Sequence, residues 1–417
     1  MTDPLLPVSS PNGGEGKSLA LTRHIRNASV FALTLLTIEF LDEFVFGARE
    51  AAWPLIRDNL GLNYIQVGVL LSVPNLVSSV VEPFLGILGD VWKRRVLILG
   101  GGAFFALALL LTSQSQNFVV LLLSFVLFYP ASGSFVSLAQ AALMDADPTR
   151  HEHNMARWTF AGSLGVVIGP LALRAATVLA LGWRGLFGFF AVLSAVVLAI
   201  AWRFPSTAYQ LEQSQESTDV IGDFKEGLVN AFRALRRGEV LRWLTLLQFS
   251  DLMLDVLLGF LALYFVDVVG VTPVQAGLAV AVWTGVGLLG DFLLIPLLAA
   301  GMRGLSYLRV SAVIELILFS AFVLAPNVPA KFVLLGLLGF FNSGWYSILK
   351  ARLYSAMPGQ SGTVMTVGNI FGLAGGLIPL ALGWAAQRFN LSVTMWLLLL
   401  GPIALMVGLP RRMASDT

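Results

Sequence analysis

The sequence predicts an all-α membrane protein, with twelve transmembrane helices in two pseudo-symmetric six-helix bundles. Three observations predict it. Hydrophobic residues make up 57% of the 417-residue chain and charged residues 12%, against about 25% charged in a typical soluble domain. One water-soluble core could not hide that much apolar surface. Apolar runs long enough to cross a bilayer, about 20 residues each, recur along the chain. Finally, a shift of 209 residues lays the chain over itself. Gly61-Leu-Asn-Tyr-Ile-Gln66-Val-Gly68 falls on Gly270-Val-Thr-Pro-Val-Gln275-Ala-Gly277, Asp42 on Asp251, Glu82 on Asp291 and Arg94 on Arg303. Weak internal symmetry of this kind marks membrane proteins built from two equivalent halves.

The spans begin near Ala28, Tyr64, Val96, Phe118, Trp158, Gly185, Leu241, Pro273, Tyr307, Lys331, Thr363 and Leu391. The stretch from Val96 to Met144 carries no charge but is too long for one crossing, and the polar break from Thr112 to Asn117 divides it into a hairpin. With both termini cytoplasmic, twenty Lys and Arg residues fall on the inner side and six on the other, as the positive-inside rule requires. The expected division is a cytoplasmic segment 1–27, a first bundle 28–204, a cytoplasmic linker 205–239, a second bundle 240–410 and a tail 411–417. Within the linker, Ile221, Phe224, Leu228, Phe232 and Leu235 recur at three- and four-residue steps among basic residues. That pattern suits a helix lying on the inner surface of a plasma (inner) membrane, or a mostly solvated linker.

Composition removes several function classes. Net charge is +2, too small to suggest nucleic acid, and there is no cysteine to supply disulfides, thiolates or soft metal ligands. His24, His151 and His153 have no pattern of partnering ligands, so neither a metal nor a cofactor is expected. No Gly-x-x-x-x-Gly-Lys-(Ser/Thr) loop is present, which argues against ATP-driven pumping. No nucleophile–base pair stands out, so an enzyme is not expected.

Gly86-Ile-Leu-Gly89-Asp90-Val-Trp-Lys93-Arg94-Arg95 lies at the inner junction of spans two and three. A carboxylate beside a basic cluster can form charge-assisted bonds that hold one conformation and break in another. Plain anchoring by the basic residues is the alternative. Through Gly86, Leu88, Asp90, Arg94 and Arg95 this segment resembles the signature Gly-x-Leu-x-Asp-(Arg/Lys)-x-Gly-(Arg/Lys)-(Arg/Lys) of the major facilitator superfamily. Val91 stands where that signature has a basic residue, and Lys93 where it has glycine. With twelve spans, duplicated halves and a long middle loop, the resemblance covers essentially the whole chain. It implies two bundles that rock about a central site. The duplicated pair Glu82 and Asp291, near the inner ends of spans two and eight, reads as gating or inter-helix contacts. In span five, Gly165, Gly169 and Pro170 resemble the Gly-x-x-x-Gly-Pro element of proton-driven exporters in that superfamily, although Leu171 to Arg174 depart from it. Small-residue packing with a proline bend accounts for them equally well. Span four lacks the central arginine that many such exporters carry; its polar positions are Tyr129, Ser132, Ser134, Ser137 and Gln140.

Span one is the richest helix. Glu39, Asp42, Glu43, Phe46, Arg49, Glu50, Trp53 and Arg57 share one face of roughly 120°. A carboxylate at mid-bilayer depth costs about 2.5–3.5 kcal/mol, so this face belongs against a wet cavity or a partner, and Arg49 is a candidate partner for Asp42. Gln248, Asp251 and Asp255 share a face of span seven. The resemblance implies that spans one and seven line the central cavity from opposite halves, so Glu39, Asp42, Glu43, Asp251 and Asp255 would meet there. In span ten, Asn342, Trp345 and Tyr346 lie near cavity depth, where aromatics could stack on a substrate or cation or simply pack. The function expected is secondary active transport of a small organic solute across the bilayer by alternating access, as proton-coupled export of a cationic or amphipathic compound. Nutrient uptake and a non-transporting sensor with the same fold are the alternatives.

Overall fold

The computed structural model describes residues 13–91, 94–146, 151–204, 229, 232–357 and 361–410. Every regular element among them is a helix. In chain order these are α1 (Gly13–Leu60), α2 (Tyr64–Val91), α3 (Arg94–Gln114), α4 (Phe118–Met144), α5 (His151–Val178), α6 (Gly182–Trp202), α7 (Gly238–Asp267), α8 (Pro273–Ala299), α9 (Gly304–Leu324), α10 (Val328–Ser355), α11 (Val367–Phe389) and α12 (Leu391–Gly408). Eleven, all but α1, are long and apolar enough to cross a membrane, and α1 carries the charged stripe. With twelve crossings, the start of α1 and the end of α12 lie on one face, here called the terminal face, and the α1–α2 turn on the opposite one. The protein is a multi-pass integral membrane protein. α1 reaches back to Gly13, beyond the start expected at Ala28; no proline lies between Pro11 and that start to interrupt it. The linker helix expected around Ile221, Phe224 and Leu228 lies outside the described residues.

The internal repeat encodes matching local structure. Gly61 and Gly270 both adopt positive φ, +62° and +80°, which glycine alone does without strain. Each is followed by a reciprocal cap on the next helix. Asn63 accepts the Gln66 N–H while Gln66 accepts the Asn63 N–H, at 2.9 and 3.0 Å. Thr272 and Gln275 do the same at the start of α8, at 3.3 and 3.0 Å. Such boxes satisfy backbone donors that the first turn leaves orphaned.

Packing repeats as well. α2 packs on α4 as α8 packs on α10, and α3 packs on α6 as α9 packs on α12. Between the bundles, α2 meets α11 and α5 meets α8, which are equivalent pairs under the same pseudo-twofold. Small residues set the closest approaches. In α5, a Cβ on Gly165 would stand 2.5 Å from the Phe40 carbonyl oxygen, and one on Gly169 would stand 2.3 Å from the Ala48 nitrogen. Gly165, Gly169 and the buried Pro170 therefore serve the α1–α5 contact. Because the obstacle is backbone, Gly169→Val is expected to cost more than the ~1–3 kcal/mol of ordinary overpacking and to cut the yield of monodisperse protein at least fivefold. Gly100→Ala, at a position with open space around the missing Cβ, should leave that yield unchanged in size-exclusion chromatography.

Five helices depart from regular geometry, α12 through a 3-10 turn at Trp396–Leu399 and four others as follows. α4 contains a π-helical turn at Gly133–Ser137 and α7 one at Leu252–Val256. α10 is broken between Phe341 and Trp345, with Gly344 at φ +73°, and α11 between Gly375 and Ile378. π turns gather at functional positions, and broken membrane helices persist where they line a cavity or are buried in protein.

Candidate functional site: a central carboxylate cavity

A cavity of about 520 Å³ lies between the bundles. From α1 it receives Asp42, Glu43, Phe46, Arg49 and Glu50; from α7, Gln248, Asp251 and Asp255. Asn75, Ser79 and Glu82 enter from α2, Tyr129 and Ser132 from α4, and Tyr346 from α10. Six carboxylates line it, and Arg49 is the one cationic side chain in its wall among the described residues. The π turn in α7 begins just after Asp251 and includes Asp255, which is exposed to the cavity. Asp255 lies within electrostatic reach of Glu43, Glu50 and Arg49 of the other bundle. Asp42 accepts the Ser132 hydroxyl at 2.8 Å, tying α1 to α4 beside the π turn of α4.

Several expectations need correction. Glu39 does not reach the cavity. It is buried against α5, where a Cβ on Gly162 would stand 2.6 Å from its Oε1; it lies one helical turn before Glu43, about 40° round the helix. Arg49 is not bonded to Asp42. Its Nε and Nη2 donate to Oε1 of the adjacent Glu50 at 2.9 and 2.7 Å, and its guanidinium lies 5.0–5.8 Å from the rings of Phe46, Phe125 and Tyr129. The second oxygen of Glu50 accepts the Trp53 Nε1–H at 3.0 Å. Trp345 is fully buried and donates to Ser311 Oγ at 2.8 Å, and Asn342 donates to the Met253 carbonyl at 3.1 Å. Both serve helix packing, and neither lines the central cavity.

The pair Glu82 and Asp291 has matching surroundings. Glu82 accepts the Ser78 hydroxyl at 2.5 Å and packs against Gly133 at the π turn of α4. Asp291 accepts the Gly344 N–H at 3.0 Å, at the break in α10. Glu82 lines the central cavity and Asp291 does not. Near the terminal face, Arg94 is buried and Arg95 donates to the Trp202 carbonyl at 2.7 Å. Gly86 and Asp90 belong to α2, but their side chains lie outside the described residues. Glu315 is fully buried in α9, away from the cavity, and its carboxylate oxygens have no hydrogen-bond partner among the described residues.

Glu50, Asn75 and Ser79 also belong to the cavity wall. Their signal is helical spacing: Glu50 continues the α1 stripe, and Asn75, Ser79 and Glu82 follow one another at steps of four and three on α2.

On the opposite face, beyond the cavity, the bundles are clasped. Arg57 of α1 donates through both terminal nitrogens to the carboxylate of Asp267 of α7, the Nη2–Oδ1 bond being 2.7 Å. Tyr64 of α2 also donates its hydroxyl to Asp267, and its backbone N–H donates to Gln387 of α11 at 3.1 Å. Below this, Gly68 and Gly383 let α2 and α11 touch, a Cβ on Gly383 falling 2.4 Å from the Tyr64 carbonyl oxygen.

The sequence profile of the Major Facilitator Superfamily matches residues 35–379, from the middle of α1 into α11. The chain belongs to that superfamily. It is therefore a transporter rather than an enzyme, and the two-bundle architecture is that family's fold. The fosmidomycin resistance protein of Escherichia coli (strain K12) is 23% identical over 368 residues, 85% of each chain. The multidrug resistance protein MdtG of Salmonella paratyphi A is 30% identical over 148 residues, 33% of this chain and 36% of its own. Among solved structures, a bacterial homologue of the human lysosomal transporter Spinster, in an inward-facing and unoccupied conformation, superposes with a TM-score of 0.70 at 16% identity, covering 92% of this chain and 94% of that one. The nucleoside transporter NupG superposes with a TM-score of 0.67 at 15% identity, over 90% and 97%. At those identities the structures establish the fold alone.

Proposed function

We propose that this superfamily member is a proton-coupled exporter of organic cations, with its terminal face in the cytoplasm of a cell whose inner membrane it spans. The observation that carries this reading is the charge of the central cavity: six carboxylates against one guanidinium that is already bonded to Glu50. A wall of that composition attracts cations and protons and repels anions. Crowded carboxylates of two bundles can exchange a proton for a cation, since both compete for the same oxygens. The cavity lies on the terminal side of the Arg57–Asp267–Tyr64 clasp, which closes the opposite face. The basic residues gathered on the terminal face support its cytoplasmic placement. The resistance proteins among the relatives support export.

The test is purified protein in liposomes with an internal pH dye, with an imposed pH gradient and labelled organic cations, neutral compounds and anions presented separately. Cation flux tied to opposite proton movement is expected, at least tenfold above empty liposomes. Cation and proton moving in the same direction would make the protein an uptake system. Saturable binding without flux would make it a sensor. Transport restricted to anions would overturn the cation reading.

A further inference from the structure

A second cavity, of about 1040 Å³, lies in the seam where α5 meets α8, toward the terminal face. Its wall is mostly apolar, with Met144 of α4, Phe160 of α5 and Leu288, Phe292 and Leu298 of α8. Phe160 and Phe292 are about half exposed, 52% and 50%, and their ring centroids stand 6.4 Å apart, one ring from each bundle. Asp291 is the one charged side chain in that wall among the described residues. Its Oδ1 accepts the Gly344 N–H, while Oδ2 has no hydrogen-bond partner among the described residues.

This combination narrows the occupant. A carboxylate in an apolar wall at membrane depth is unfavourable without a counter-charge. Thr159, Ser163, Asn342, Ser343 and Ser347 add neutral polar groups to the wall, but its predominantly apolar surface suits a small hydrated cation poorly, because much of that ion's water would be stripped without replacement. An organic cation whose charge sits on a bulky apolar body fits both requirements, and aromatic rings flanking the charge favour it further. The cavity is large enough for a molecule of drug size. It also adjoins the central chamber: Tyr346, more than half exposed, lines both cavities.

We propose that this lateral cavity is a loading site, at which an amphiphilic organic cation leaves the bilayer between α5 and α8, settles against Asp291, Phe160 and Phe292, and passes Tyr346 into the central cavity. The proposal rests on the cation reading of the central chamber and adds the substrate's amphiphilic character and its route. Asp291 thereby has two partners, the Gly344 N–H that it fixes at the break in α10 and the cation.

The test uses the intact protein in lipid nanodiscs and a trialkylammonium photoprobe carrying a diazirine on one alkyl chain, with adducts mapped by peptide mass spectrometry. Adducts are expected on α5 between residues 157 and 163 and on α8 between residues 287 and 298, as well as on α1 and α7. Asp291→Asn keeps an oxygen for the Gly344 N–H and removes the charge; it should lower the α5 and α8 adducts at least fivefold. The double variant Phe160→Leu and Phe292→Leu, which leaves Asp291 and its bond intact, should lower them at least threefold. An uncharged probe of the same shape should label these peptides at least fivefold less than the cation. Adducts confined to α1 and α7 would overturn the lateral site and leave the central cation reading standing, whereas no adducts anywhere would overturn both. Undiminished α5 and α8 labelling in both variants would also overturn the site.

Discussion

Replacing Asp42 with asparagine is expected to abolish proton-driven accumulation, with a loss of at least twentyfold, while the protein folds and still binds substrate. Asp42 lines the central cavity and accepts the Ser132 hydroxyl at 2.8 Å. The asparagine carbonyl oxygen can accept the same bond, so the link between α1 and α4 survives and only the ionisable group is lost. A coupling site must gain and lose its proton within each cycle, and an amide cannot. Downhill exchange of substrate across the membrane should therefore persist in the variant even though uphill accumulation stops. Glu39→Gln is the matched comparison. Glu39 lies only three residues away but is buried against Gly162, outside the cavity, and its variant should retain at least half of wild-type accumulation. The measurement is pH-gradient-driven uptake into inverted vesicles, alongside substrate affinity, for both variants and for Asp251→Asn and Glu82→Gln. Full accumulation in Asp42→Asn, with loss in Asp251→Asn or Glu82→Gln, would move the proton site to the other bundle or to α2.

Most of the architecture was legible in the sequence because it rests on one-dimensional signals. Apolar runs give the helices, and the repeated Gly61 and Gly270 mark turns that only the left-handed conformation closes. The Asn63–Gln66 and Thr272–Gln275 caps are local as well, and their recurrence at a fixed offset carries the pseudo-twofold. The site was legible at the level of helix faces. Asp42, Glu43, Phe46 and Arg49 lie in the cavity with Asp251, Asp255 and Tyr346. Facing a cavity and reaching it are separate matters, however. Glu39 and Glu43 are one helical turn apart and both touch Gly162 of α5, but Glu39 lays its carboxylate on that glycine whereas Glu43 reaches the cavity wall. Trp345 and Asn342 share a segment with Tyr346, but α10 breaks at Gly344, so ordinary helical spacing does not order them. The choice of Arg49's partner also depended on three dimensions. The adjacent Glu50 reaches it because Trp53 holds the other carboxylate oxygen, and no spacing rule separates Glu50 from Asp42 as the partner.

Neutralising Asp267 is expected to release the closed face. The clasp joins α1 and α2 of one bundle to α7 of the other, and its acceptor is a single carboxylate that takes both Arg57 nitrogens and the Tyr64 hydroxyl. Each side chain of the ion pair is largely shielded, with relative exposures of 16% and 19%. Charge-assisted hydrogen bonds of this kind contribute about 1.5–3 kcal/mol, equivalent to roughly tenfold to hundredfold in a two-state equilibrium. Other contacts between the bundles toward this face, among them Tyr64 with Gln387, the Leu380 N–H with Ser72 and the α2–α11 glycine crossing, involve no net charge. Asp267→Asn should thus shift the protein at least tenfold toward the state open on the opposite face. Because the chain has no cysteine, a single Leu71→Cys reporter in the cavity wall gives a clean readout, labelled with a membrane-impermeant maleimide from the side opposite the termini. Faster labelling by tenfold or more is expected in Asp267→Asn. Asp58→Asn should show no change, because Asp58 is exposed and contacts Arg57 within its own helix. Exchanging the charges, Arg57→Asp with Asp267→Arg, should restore slow labelling. Equal labelling rates in wild type and Asp267→Asn would mean that glycine-mediated packing of α2 on α11 holds this face shut, and that Arg57 and Asp267 only decorate it.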